Sequence, residues 1–191
     1  MRKCVIRYWI GASAISQKDM RNNIIYFMNK EYFQAQGFEG FKTMGELMDG
    51  AKAQIPAQKG VYVVLRESES APQFLTEGTG GHFKSQDPNV SLSELKDNWV
   101  EGTPVVYIGK AGGAGSSATL NKRLGQYLRF GQRANVGHWG GRYIWQLADS
   151  RDLVVCWKTL TVDDPKEFEH QMITEFKINH AGKRPFANLI D

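Results

Sequence analysis

The stretch TPVVYIGKAGGAG, residues 103–115, runs from an apolar segment into a glycine-rich turn with a single lysine, Lys110, at its mouth. It allows three readings: a phosphate-cradling nucleotide loop, a plain hairpin, or one half of a split catalytic site. A nucleotide loop requires the order G-x-x-x-x-G-K-[ST], with the lysine after the glycines. Here Lys110 precedes AGGAG, so the lysine belongs to a different device.

Outward from this stretch, PVVYIG (104–109) reads as a strand and is followed by a helix from about Thr119 to Phe130. Upstream, the punctuation IPAQKG (55–60) opens a second β-branched and aromatic strand, VYVVL. Residues 66–104 lie between the two strands. They carry Pro72, Gly78, Gly80, Gly81, Pro88 and Pro104 and one short helix, SLSELKDNW, whose start is capped by Ser91. Downstream, RYIWQL and DLVVCWKTL read as two strands of a hairpin turned by ADSR. The helix DDPKEFEHQMITEFKINH follows, with Asp164 as N-cap and Pro165 at its first position. Residues 1–50 mix aromatic and polar side chains and end in a short helix around Met44 to Lys52.

Composition sets broad bounds. A chain of 191 residues has room for one domain of ordinary size with a real core. Lys and Arg outnumber Asp and Glu by 24 to 20 and the pI is near 9.0, which is compatible with a polyanionic partner. Cys4 and Cys156 make neither a disulfide framework nor a four-ligand zinc site, and are expected to be reduced, as in the cytoplasm. The N-terminal MRKCVIRYWIGASA imitates a signal peptide, but Arg7 interrupts its apolar run. No stretch approaches a membrane span.

Two helices carry residues out of place. At about 100° per residue, Glu169 falls inside the apolar arc of Met172, Ile173 and Phe176. A carboxylate turned toward a core must be paired, neutralised or bound to a metal. It is either a stripe-edge residue paired with Lys166 or another cation, or a metal ligand or catalytic group. On the earlier helix, Arg123 and Tyr127 are four apart and lie along one edge of the Leu120, Leu124 and Leu128 stripe. They suit an anion site, and equally an amphipathic flank with a snorkelling arginine.

GVY at 60–62 and YIG at 107–109, each within a strand, resemble the paired signature of the GIY-YIG nuclease family. Lys110 directly after YIG, Arg123 and Tyr127 on the next helix, Glu169 on a later helix, and Asn188 in RPFANLI follow in the family's order. YIGKAGG and LNKRLGQYLR resemble the nuclease domain of the bacterial excision-repair incision subunit, and EHQMITEF resembles that domain's glutamate helix. The resemblance spans 60–191, while residues 1–59 form an N-terminal extension that resembles nothing named.

Two features depart from the family pattern. Tyr62 and Tyr107 are 45 positions apart where the family has a tight hairpin, so 66–104 is an insertion at the hairpin tip, as in some restriction enzymes of the family. Its Gly/Pro punctuation leads to the expectation that deleting 68–101 spares folding and alters substrate preference. The stretch from Glu169 to Asn188 is also longer than in the repair nuclease.

The resemblance implies an α/β (α+β) domain with a small central, mostly antiparallel sheet flanked by helices, acting as a divalent-metal-dependent DNA endonuclease. One Mg²⁺ or Mn²⁺ would sit on Glu169, with water and a phosphate oxygen completing its shell. Tyr62 would orient or deprotonate the attacking water; a base role requires Lys110, Arg123 or the metal to lower a phenol pKa of about 10. Whether Tyr62 or Lys110 takes the proton stays open. Arg123 would neutralise transition-state charge, and Tyr107 and Tyr127 would hydrogen-bond the phosphate or the water. Gly60 and Gly109 are structural, Gly109 by permitting a turn, and Asn188 anchors the C-terminal segment. The alternative is a catalytically silent nucleic-acid-binding or structure-sensing module on the same fold.

His82, His138, His170 and His180 show no zinc spacing. Trp139, Arg142, Tyr143 and Trp145 either stack single-stranded bases or belong to the core. NHAGKRP and LRFGQR supply cations for a phosphate backbone.

Overall fold

The chain was analysed as a computed structural model that describes residues 28–190. A four-stranded antiparallel sheet in the order β1-β4-β2-β3 forms its centre. The strands are β1 (Glu39–Thr43), β2 (Gly60–Leu65), β3 (Val105–Ala111) and β4 (Val154–Thr159). Helices α1 (Lys30–Ala35), α2 (Met44–Met48), α3 (Leu92–Asn98), α4 (Leu120–Phe130) and α5 (Pro165–Asn179) surround it. The expected α+β fold, with a small antiparallel sheet between helices, is present.

β2 is buried along its whole length, as a continuous apolar run predicts for a central strand. Val61, Val63 and Leu65 join a core cluster with Phe33 of α1 and with Met172, Ile173 and Phe176 of α5. Tyr62 and Val64 point the other way, into a larger cluster with Leu120, Leu124 and Tyr127 of α4. Residue alternation along one strand therefore assigns α5 to one face of the sheet and α4 to the other.

The capping signals act as their chemistry predicts. The Asp164 carboxylate accepts from Lys166 N at 2.8 Å, with Pro165 opening α5. Thr119 accepts from Lys122 N at the start of α4, and Ser91 accepts from Glu94 N at the start of α3. The helix expected over Met44 to Lys52 is divided: α2 ends at Met48, Gly50 takes φ 132°, and a separate 3-10 turn covers Ala51–Gln54. A φ in that range is one that favours glycine, and it breaks the helical path.

Two further local readings change. RYIWQL is not a strand: Arg142–Gln146 is a 3-10 turn entered through left-handed Gly141, and Tyr143, Ile144, Trp145 and Gln146 are all buried. β1, absent from the sequence reading, lies within the extension and pairs with β4. EGFKT shows no alternation because the register shifts between Gly40 and Lys42, with Phe41 at φ 49°. A Cβ on Gly40 would run into the Trp157 indole, so glycine admits that neighbour.

The 66–104 insertion is built into the domain rather than appended to it. Leu75 N donates to Gln146 O at 2.8 Å, Ala148 N to Gln73 O at 2.9 Å and Thr79 N to Trp145 O at 3.0 Å. The buried Gln146 amide donates to Leu75 O and Val90 O and accepts from Val90 N. Leu95 is fully buried, and Phe74, Trp99 and Phe186 pack ring against ring. Arg66, buried in turn, donates to Asp149 at 2.7 Å and to the carbonyls of Ser68 and Ser70. A segment so placed holds the core closed, which reverses the expectation that its deletion would spare folding.

Candidate functional site

β2 and β3 pair so that Tyr62 lies opposite Gly109 and Val64 opposite Tyr107. The Tyr62 and Tyr107 rings are 6.0 Å apart, and the Tyr127 ring of α4 is 5.7 Å from that of Tyr107. Gly109 is what allows this. It sits within β3 rather than in a turn, and a Cβ there would stand 2.5 Å from Tyr62 Cζ and 3.0 Å from the Tyr107 ring. Gly60 is required in the same sense, because a Cβ would overlap the Lys158 carbonyl of β4.

Lys110 belongs to the opposite face of β3, opposite Val61. Its Nζ lies 3.3 Å from the Glu169 carboxylate of α5, and both side chains are only partly exposed. The carboxylate in the apolar arc thus finds a cation from the neighbouring strand, not from Lys166 on its own helix. Burial pushes the Glu169 pKa up, against the lowering pull of Lys110 and then Arg123.

The phenols respond to burial more than to charge. Burial holds the Tyr62 pKa well above 10, Tyr107 adds to it, and Arg123 pulls the other way without prevailing. Burial likewise pushes Tyr107 up to about 12, and raises Tyr127. The lowering that a phenolate base requires is therefore not present in the protein alone. Tyr62 Oη is buried and makes no hydrogen bond of full geometry; the Tyr107 hydroxyl couples to it, so its bonding is weak rather than complete.

The expected residues meet at edge strand β3 from both faces of the sheet. Tyr62, Tyr107, Tyr127 and Arg123 belong to the α4 side, and Lys110 and Glu169 to the α5 side. The halves are close enough to interact: Arg123 lowers and Glu169 raises the proton affinity of both Tyr62 and Tyr107. Arg123 is half-buried and makes no ion pair among the described residues.

Two residues are committed to structure. Asn188 clamps β3 by accepting from Ile108 N at 2.9 Å and donating to Ile108 O at 2.8 Å, while Ala187 N donates to Val106 O at 2.9 Å. The tail is thereby laid along the edge of β3, which is the anchoring role expected of Asn188. Tyr127 Oη donates to Gly141 O at 2.9 Å. Its proton is committed to that carbonyl, which leaves the phenol oxygen only as an acceptor.

His138 is a neighbour that spacing did not reveal. It is buried, its ring stacks on Tyr127 at 4.1 Å, and neither ring nitrogen has a partner. Burial, reinforced by Arg123, holds its pKa well below the usual value, so the ring is neutral. A single histidine in GHWGG carries no pattern by which sequence could place it. His170 is exposed, as its position on the wheel predicts.

Comparison of the chain with family models, curated proteins and solved structures gives no match. The site must therefore be judged on its chemistry.

Arg123 is coupled electrostatically to the Tyr62, Tyr107 and Tyr127 hydroxyls, and Asp97, Lys183 and Arg184 line a depression beside Asn188. Among the described residues no three His, Cys, Asp or Glu side chains gather, and Glu169 is the carboxylate whose charge reaches Tyr62 and Tyr107. Cys156 is free and buried, its thiol pushed up to about 12 by burial; Cys4 and the signal-like N-terminus lie outside the described residues. No helix among the described residues is long and apolar enough to cross a membrane.

Proposed function

We propose that the protein is a divalent-metal-dependent endonuclease of the GIY-YIG type acting on DNA. The observation that carries this reading is the arrangement around β3. Two buried tyrosines, whose hydroxyls couple to each other, share an electrostatic environment with a half-buried arginine and a desolvated glutamate.

In phosphodiester hydrolysis water attacks phosphorus, one P–O bond breaks, the water's proton passes to a base and the leaving oxygen takes a proton. Tyr62, neutral and only weakly bonded to Tyr107, orients the attacking water. Its environment opposes a base role, and Lys110, held as an ammonium against Glu169, has no lone pair to take the proton, so the water's proton passes to solvent. Arg123 compensates the charge that grows on the phosphoryl oxygens. Tyr107 donates to a phosphate oxygen, while Tyr127 holds the wall of the site through Gly141 rather than the phosphate.

Glu169 fits a hard cation of the Mg²⁺ or Mn²⁺ kind, which accepts one carboxylate and fills its shell with water and substrate oxygens. Such an ion, when bound, supplies charge neutralisation and acidifies its water.

The test is cleavage of labelled single-stranded, duplex and branched DNA with Mg²⁺ or Mn²⁺, comparing wild type with Glu169→Gln. Cleavage by wild type and none by the variant is expected. Binding without cleavage under either ion would replace the reading by a silent nucleic-acid-binding module.

A further inference from the structure

The loop Gly137–Gly141 lies directly against the site hydroxyls. A Cβ on Gly141 would stand 3.0 Å from Tyr127 Oη and 3.1 Å from the Tyr107 ring, and one on Gly140 would stand 3.7 Å from Tyr107 Oη. Gly141 has φ 78°, and its carbonyl accepts the Tyr127 hydroxyl. The inward His138 ring stacks on Tyr127 and locks the loop there.

Of the four candidate stacking residues in and after this loop, two are absorbed by the core. Trp145 packs against Tyr127, and Tyr143 against Phe186 with its hydroxyl on Glu94. Trp139 and Arg142 remain half-buried at the surface. The Arg142 guanidinium stands 4.7 Å over the Trp139 ring and 5.1 Å over the Tyr143 ring. Its Nε is buried without a hydrogen-bond partner, and no carboxylate of the described residues pairs with the group. A cation fixed between two aromatic faces, lacking a counter-charge, is preorganised for an anion that arrives from outside.

We propose that Trp139 and Arg142 form a nucleotide subsite beside the reaction centre. Arg142 takes a backbone phosphate next to the scissile one, and an unpaired base extends the Arg142–Trp139 stack. A base in a duplex cannot make that contact without leaving its own stack, so the strand is single-stranded or locally opened where it is cut. This inference rests on the nucleic-acid reading of the neighbouring site.

The test is binding in EDTA, where cleavage plays no part. Fluorescence anisotropy would be followed with a short labelled single strand and with the same sequence as a duplex. Wild type is expected to favour the single strand. Trp139→Leu and Arg142→Ala should each weaken single-strand binding by roughly 10-fold, within the range for loss of one base–aromatic stack.

Arg142→Ala should also lower the slope of log K against log salt by about 0.7, for one phosphate contact on a single strand, whereas Trp139→Leu should leave that slope unchanged. Trp139→Phe, which keeps a stacking ring, should retain most of the affinity and controls for misfolding. Folded variants that bind like wild type, or a wild type that binds no oligonucleotide, would overturn the subsite. Trp139-dependent binding without cleavage under any divalent ion would overturn the nuclease reading and leave the subsite standing.

Discussion

Gly109 and Tyr62 face each other across the β2–β3 ladder, and the glycine's missing side chain is the space that the phenol occupies: a Cβ there would stand 2.5 Å from Tyr62 Cζ. Tyr62 is rigid and buried, so it cannot withdraw from an added methyl without moving its strand. Gly109→Ala is expected to cost about 1–3 kcal/mol of stability, the usual range for overpacking a core. Urea denaturation measures it, and an unchanged midpoint would mean that the ladder yields more easily than its packing implies.

Tyr62→Phe separates function from stability. The Tyr62 hydroxyl is buried with no well-formed hydrogen bond and with only a weak coupling to Tyr107, so removing it should lower thermal stability by no more than about 1 kcal/mol, the net worth of one ordinary hydrogen bond. On the proposed nuclease reading, cleavage should fall by about 100-fold, the size of one lost preorganised hydrogen bond. Melting curves and single-turnover rates on the same preparations decide it. A larger loss of stability would show that the hydroxyl is satisfied within the fold.

Glu169 predicts a pH dependence whose sign follows from burial. Its folded pKa is raised from 4.5, so its contribution to stability is fully present below about 4.5 and is lost as pH rises through the folded value. Glu169→Gln, which mimics the protonated form, should be at least as stable as wild type at pH 7. The gap should close as pH falls through the window above 4.5. On the proposed nuclease reading, the acid limb of wild-type cleavage should lie above 4.5 at limiting cation and should move to lower pH as the cation concentration rises, because cation and proton compete for the carboxylate. Melting temperatures of both proteins across pH test the first statement, and a pH–rate profile tests the second.

The insertion should prove indispensable to folding. Replacing 68–101 by a short loop removes buried Leu95, the Trp99 ring against Phe186 and the bonds to Gln146. The product is expected to be insoluble or unfolded. The milder Leu95→Ala should lose about 2–5 kcal/mol, read by chemical denaturation. A stable, cooperatively folded deletion protein would show that the insertion's packing is dispensable.

The local signals that survive in the fold are those whose physics is short-range. Asp164 and Pro165 start α5, Ser91 starts α3, and GVYVVL and VVYIG become β2 and β3, because caps and apolar runs act within a few residues. The sequence also revealed Glu169 as misplaced, since one helical wheel suffices to put a carboxylate among Met172, Ile173 and Phe176.

The tertiary structure decided what depends on partners far along the chain. RYIWQL has strand-like composition but becomes a 3-10 turn, because the insertion supplies the hydrogen-bond partners of Trp145 and Gln146. β1 escaped notice because its bulge destroys the alternation that marks a strand. Lys110, not Lys166, neutralises Glu169, since β3 lies beside α5. Burial, which no single stretch of sequence reports, raised the tyrosine pKa values where nearby cations were expected to lower them. Order along the chain therefore named residues that gather at β3, but their protonation and pairing come from desolvation and strand neighbours that exist only once the sheet has formed.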